Sequence, residues 1–199
     1  MHYEPALNNH GLPHRPFNAL VVPRPIGWIS TISKAGVVNL APFSFYNAIA
    51  SAPPMVMFSS GIGNDSLANA EESGEFTVSL ATFELRTQMN ASSTRLPPDE
   101  SEFLYTKLEM APSKTVKPPR VKLSPAALEC RYVQSVPLAT ADGAAIPYRM
   151  VIGEVTGIYI DDSLIVDGMV DIRRARPIAR LGYHEYEVLG QVFQMQKPF

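Results

Sequence analysis

Arg24-Pro25-Ile26-Gly27-Trp28-Ile29-Ser30-Thr31, then Asn39-Leu40-Ala41-Pro42-Phe43-Ser44-Phe45-Tyr46-Asn47, then Gly61-Ile62-Gly63-Asn64-Asp65-Ser66-Leu67-Ala68-Asn69: these three pieces of residues 24–80 decide how the chain folds. The first two are strand-like, rich in β-branched and aromatic side chains but carrying hydroxyls and amides. The third is a glycine-containing loop that opens a short helix. Side chains alternate along a strand, so Ile26, Trp28, Ser30 and Ile32 share one face while Ile29 and Thr31 share the other. Ser30 and Thr31 therefore cannot both aim their hydroxyls at one ligand.

Working outward, Ala19–Val22 reads as an apolar strand interrupted by Pro23 and Pro25, and Lys34-Ala35-Gly36 makes a hairpin turn into Val37 and Val38. A regular strand over 43–47 would put Phe43, Phe45 and Asn47 opposite Ser44 and Tyr46, with Pro42 marking an edge or bulge. Met55–Ser60 is a buried strand after Ser51-Ala52-Pro53-Pro54. Asp65 or Ser66 N-caps a helix over Leu67–Ser73 that Gly74 ends. Glu75–Leu80 alternates with Phe76, Val78 and Leu80 inward, and Thr82 starts a second short helix through Phe83, Leu85 and Met89.

The polar, proline-containing span 92–119 reads as a surface excursion with one helical turn near Glu102–Leu108. Strands follow at Leu128–Tyr132, at Tyr148–Asp161 with bends at Gly153 and Gly157, at Leu164–Val170 and at Val188–Met195. About seven strands against two or three short helices predict a small, mainly β barrel of the α+β kind. Residues 1–16, broken by Pro5, Gly11, Pro13 and Pro16, form a mobile or extended N-terminal arm on one domain spanning 17–199.

A net charge of −2 with scattered basic residues leaves no field for nucleic acid or an anionic membrane. Cys130 is the single cysteine and lies in an alternating apolar stretch, which predicts a buried, inert thiol. His10 and His14 cannot share a helix face among those prolines, so no metal site is expected. The N-terminus lacks the apolar core of a signal peptide and no stretch is long enough to span a bilayer, which predicts a cytoplasmic protein. No dinucleotide-binding Gly-x-Gly-x-x-Gly, Walker loop, nucleophile elbow or zinc spacing is present.

The quoted segments resemble the flavin-reductase-like proteins, which bind FMN on a split β-barrel. Pro53-Pro54, Ser73-Gly74-Glu75-Phe76, Leu128-Glu129-Cys130 and Arg180-Leu181-Gly182 with Tyr186 fall in the expected order, so the likeness covers most of the chain. It implies a Greek-key split barrel, FMN as cofactor, NAD(P)H as co-substrate giving hydride to flavin N5, and a homodimer with one flavin per subunit near the interface. The reduced flavin would serve a monooxygenase or another acceptor. Two other readings stay open: an FMN-binding electron carrier or store without NAD(P)H turnover, and a flavin-free interaction module.

For the phosphate, Gly61-Ile62-Gly63 brings backbone close, Ser59, Ser60 and Ser66 donate hydroxyls, and the helix start after Asp65 adds partial positive charge. The same loop also suits an ordinary strand-to-helix connection, with Asp65 capping backbone. Family members often carry a base where this chain has Asn64, so the cation must come from elsewhere, first from Arg24 and second from Arg180. For the ring, Phe43, Phe45 and Tyr46 offer surface while Ser44 and Asn47 offer donors, although aromatics at strand spacing, Trp28 included, are more often core. Residue by residue, Thr31, Ser44 and Asn47 match the family best. Ser66→Ala and Asn47→Ala are each expected to weaken FMN binding by roughly 1 kcal/mol. As a lone histidine His184 is more often a satisfied surface or interface residue than a lining of the nicotinamide pocket, and Arg180 and Tyr186 are the better candidates there, from the same or the partner subunit.

Overall fold

In a computed structural model, which describes residues 1–196 and 198, seven antiparallel strands form one sheet. In space they run Val38–Phe43, Gly27–Ile32, Glu75–Leu80, Ala126–Ala139, Ala145–Ile160, Pro54–Gly61 and Tyr46–Ser51. Pro54–Gly61 and Glu75–Leu80 follow one another in sequence but are separated by the 126–160 hairpin, the out-of-order connection of a Greek key. The two outermost strands are joined by Ser44-Phe45 alone, so the sheet must curl back on itself. The seam is closed without a continuous ladder: the Tyr46 ring lies flush on Gly27, where an added Cβ would come within 2.7 Å of it. The result is a split β-barrel.

The curl is helped by the two predicted bends. The 126–139 and 145–160 ladder slips register between Ile152 and Gly153 and between Val155 and Gly157. Gly153 is bare because the Phe76 ring occupies the space of its side chain, and Gly157 because Glu129 Oε2 would lie 2.7 Å from a Cβ.

Strand Gly27–Ile32 is buried on both faces, and its alternation separates two cores. Ile29 joins Phe43, Phe58, Phe76 and Val151 inside the barrel. Trp28 points the other way, into a second cluster with Leu40, Met89, Phe103 and Val121. That second core corrects the reading of 92–119 as a surface excursion. Phe103 is fully buried, Leu108, Ala111 and Val116 nearly so, and the segment packs across the outside of the sheet. Its prolines supply what the strands need: Pro118 O accepts from Thr77 Oγ1 at 2.7 Å, and Pro119 O accepts from Ser30 Oγ.

Other local readings shift. Phe17–Leu20 is a helical turn, not a strand. Thr82 bridges to Pro177, and the helix after it is Arg86–Ala91. The predicted turn near Glu102–Leu108 is Glu102–Tyr105. Leu164–Val170 splits into a 3-10 turn and a hairpin of two-residue strands. The last strand is only Tyr186–Val188, pairing with Ile178–Arg180. Helix Asp65–Ser73 is capped by Asn64, whose side chain accepts from Leu67 N, and Gly74 ends it at φ 74° as expected. Cys130 is fully buried, and burial pushes its thiol up. No described helix is long and apolar enough to cross a membrane.

Candidate functional site

Where strand Val38–Phe43 faces the Ser60–Asp65 turn, the barrel leaves a cleft of about 470 Å³. Its third wall is the Ser92–Pro98 loop, with Glu102 at the back. Three elements converge there for separate reasons. The 38–43 strand is an outer strand of the split sheet, the 60–65 turn is released from the sheet by Gly63 at φ 86°, and the 92–98 loop is anchored by Trp28, whose Nε1 donates to Ser92 Oγ at 2.9 Å. The loop presents Ser93, Thr94 and Arg95 to solvent, and among the described residues Arg95 has no carboxylate within 4 Å.

Behind the cleft runs a buried polar network. Asn39 is its hub: Oδ1 accepts from Ser66 Oγ at 2.6 Å and from Thr31 Oγ1 at 3.4 Å, while Nδ2 donates to Glu102 Oε2 at 2.9 Å. Asn69 Nδ2 completes it by donating to Thr31 Oγ1 at 3.1 Å. Glu102 Oε2 also accepts from Leu40 N at 2.8 Å. Burial raises the Glu102 carboxyl above its ordinary range, helped by the Asp65 charge and opposed by the hydrogen bonds from Leu40 and Asn39.

A second cleft, of about 440 Å³, adjoins the first through Pro42 and Ser93. Ser44 and Phe45, the two residues that join the outer strands, line it together with Arg15, Arg24, Arg180 and Tyr186. Arg24 is buried and already engaged, donating to Asn18 O, to Val21 O at 2.5 Å and to Leu181 O at 2.9 Å. Burial, and then the charge of Arg180, lower its pKa.

The structure thus divides the residues singled out in the sequence. Phe43, Ser60, Asn64 and Asp65 meet in the first cleft, and Arg24, Ser44, Phe45, Arg180 and Tyr186 in the second. His184 lies in a third with Arg180 and Tyr186. Trp28, Ser30, Thr31 and Ser66 face neither of the first two: all four are fully buried and hydrogen-bonded within the protein. Tyr46 packs on Gly27, and burial raises its phenol. Asn47 is exposed on the edge strand with its amide oxygen accepting from Ala48 N, and Ser59 is held in strand Pro54–Gly61, its N donating to Phe45 O. The expectation of a regular strand over 43–47 fails because the chain turns between sheet edges at Ser44-Phe45.

Arg24, the first candidate for phosphate charge, has its guanidinium tied to three carbonyls. Arg95, an exposed cation on the rim of the first cleft, was not among the residues singled out in the sequence. The signal was the run Ser92-Ser93-Thr94-Arg95, hydroxyls followed by a cation, hidden in a span read as surface.

The model of the flavin reductase like domain matches residues 19–179. An uncharacterized protein from Halalkalibacterium halodurans is 38% identical over 183 residues, covering 89% of this chain and 87% of its own length. One from Bacillus subtilis is 33% identical, covering 89% of each. Among solved structures, nitrilotriacetate monooxygenase component B from Bacillus cereus superposes with a TM-score of 0.88 at 30% identity, over 98% of both chains. The flavoredoxin of Desulfovibrio vulgaris shares the fold, with a TM-score of 0.79 at 21% identity over 94% and 96%. A split barrel matched over this much of its length, with its cleft at the seam, makes the chain a member of the flavin reductase like family.

Proposed function

We propose that this protein is an NAD(P)H-dependent flavin reductase that holds FMN in the cleft between Asn39–Phe43, Ser60–Asp65 and Ser92–Pro98. The observation that carries the reading is the makeup of that cleft. Its 470 Å³ falls within the ~300–1,000 Å³ of small-molecule sites, and its lining combines hydroxyl, amide and guanidinium donors with Ala41, Pro42 and Phe43. FMN, when bound, supplies the two-electron chemistry, its N5 taking the hydride that leaves nicotinamide C4.

The chain's part is placement. Thr94, Arg95 and the backbone around Gly63 give the converging N–H, hydroxyl and guanidinium donors that a phosphate dianion needs. Ala41, Pro42 and Phe43 form an apolar strip for the ring. The second cleft, entered past Pro42 and Ser93 and lined by Ser44 and Phe45, leaves the side from which a donor would approach. No general acid or base is required, because orientation and exclusion of water carry most of such a transfer.

A homodimer belongs to the proposal. The edge strand Tyr46–Ser51 is exposed from Asn47 onward and carries Ile49, and an unpaired apolar edge is a surface that a partner would cover. So does a cytoplasmic location. The component B neighbour, named as part of a monooxygenase, supports a monooxygenase as consumer of the reduced flavin.

The test is the absorbance spectrum of the protein reconstituted with FMN and then given NADH or NADPH without oxygen. Bleaching of the flavin bands by either donor supports the reductase. Bands that persist with both favour a carrier or store, and failure to retain any flavin removes the reading.

A further inference from the structure

A third cleft, of about 520 Å³, continues the groove beyond the second and shares Met89, Asn90, Arg180 and Tyr186 with it. Two guanidinium groups stand in it on aromatic faces. Arg86 lies 3.9 Å from the Phe83 ring centroid and donates to Phe83 O at 2.6 Å. Arg180 lies 4.5 Å from the Tyr186 centroid and donates to Tyr183 O. Among the described residues neither has a carboxylate within 4 Å, whereas Arg176, which also approaches Phe83, is paired with Glu84 at 2.5 Å.

The charge balance of this end is unlike that of the whole. The protein's net charge is −2, yet no Asp or Glu lines the second or third cleft, while Arg15, Arg24, Arg86 and Arg180 do. Each guanidinium has five N–H donors, so Arg86 and Arg180 keep most of theirs after one carbonyl contact. An uncompensated, planar, multi-donor pair flanked by aromatic rings is suited to a phosphate attached to an aromatic base. The groove leads from there to the proposed flavin cleft through two shared borders, at Pro42 and Ser93 and then at Asn90 and Arg180. The sequence has no dinucleotide-binding loop, so a nicotinamide dinucleotide must be held by side chains.

We infer that the donor is the 2′-phosphorylated nicotinamide dinucleotide, NADPH, and that its adenosine 2′-phosphate is taken by Arg86 and Arg180, with the adenine against Tyr186. The inference rests on the reductase reading and adds the choice of donor to it.

The test separates the two. The full-length, FMN-loaded protein is titrated calorimetrically with adenosine 2′,5′-bisphosphate and with adenosine 5′-monophosphate, probes that differ in the 2′-phosphate alone. The expected result is at least about tenfold tighter binding of the bisphosphate, the size of one charge-assisted contact. Arg86→Ala should bring the two within about threefold, and Arg86→Lys should keep part of the difference. The wild-type comparison stands whether or not a variant folds.

Equal affinity for the two probes, or no binding of either, overturns the inference. So does anaerobic bleaching of the flavin by NADH at lower concentration than by NADPH, which leaves the reductase itself intact. If neither donor bleaches the flavin, the reductase reading falls and the donor assignment with it.

Discussion

Glu102 and Asn39 meet behind the cleft, Oε2 accepting from Nδ2 at 2.9 Å, and the same oxygen accepts from Leu40 N at 2.8 Å. One carboxylate thereby clips the 92–119 segment to an outer strand of the barrel. Replacing it by alanine leaves two buried donors unpaired. Glu102→Ala should therefore lower stability by about 2–4 kcal/mol in urea denaturation and weaken flavin retention as well. A loss below about 0.5 kcal/mol would show that the clip does not hold the segment.

The same residue gives a pH signature. Burial raises its carboxyl above the reference of 4.5, so the native state binds this proton more tightly than the unfolded chain does. Its contribution to stability is complete below 4.5 and is lost as pH rises through the raised native value. Glu102→Gln keeps an acceptor oxygen without the charge, and its melting temperature should fall less than that of the wild type over that interval.

Glu129 behaves oppositely. Burial works to raise it, but Lys114 N, Thr115 N, the Thr115 hydroxyl and the Lys114 charge outweigh that and hold it below 4.5. Its contribution is present above 4.5 and is lost as pH falls through the lowered native value. In Glu129→Gln the acid-side loss of melting temperature should shrink. An unchanged acid limb would mean that other carboxylates dominate it.

Gly27→Ala tests the seam. Its methyl group would sit 2.7 Å from the Tyr46 ring, which packs where the outer strands meet. Overpacking of this kind costs about 1–3 kcal/mol, and the variant should lose FMN affinity along with stability. Gly36→Ala is the control, since a Cβ there meets nothing within 4 Å although φ is 83°, and it should cost about 1 kcal/mol through backbone strain without touching the cleft.

Arg95→Ala should weaken FMN binding about tenfold or more by fluorescence titration, as expected for loss of a charge-assisted phosphate contact. Ser66→Ala should act differently from its sequence-based expectation. Its hydroxyl holds Asn39 at 2.6 Å, so the loss of roughly 1 kcal/mol should appear in stability rather than as a phosphate contact. Asn47→Ala, on the exposed edge, should be nearly neutral in a monomer. Normal flavin affinity in Arg95→Ala would sink the phosphate grip as placed.

The barrel was legible because its strands repeat with period two, and because Gly153 and Gly157 interrupt one of them where the ladder slips. Side-chain destinations were less so. Ser30, Thr31 and Ser66 are the residue types a cofactor needs, but buried strands and helices also need them to satisfy one another, and here they do. The 92–119 segment read as solvent-facing because it is polar and rich in proline. What sequence cannot display is that Pro118 and Pro119 offer carbonyls to strand hydroxyls while Phe103 fills the second core with Trp28 and Leu40. Arg95 was lost in the same misreading. Arg24 stands beside the site, but its two terminal nitrogens are spent on backbone carbonyls.

Val38–Phe43 and Tyr46–Ser51 are neighbours in the chain and opposite ends of the seven-strand ladder. The proposed flavin cleft joins the first of these ends to the turn that follows Pro54–Gly61, with four strands between them in the ladder, so it is complete only after those strands have paired, including the distant 126–160 hairpin. On the proposed reading, the colour of the protein gauges the integrity of the whole ring. Damage anywhere around the circumference should be visible as released flavin before the secondary structure itself is lost.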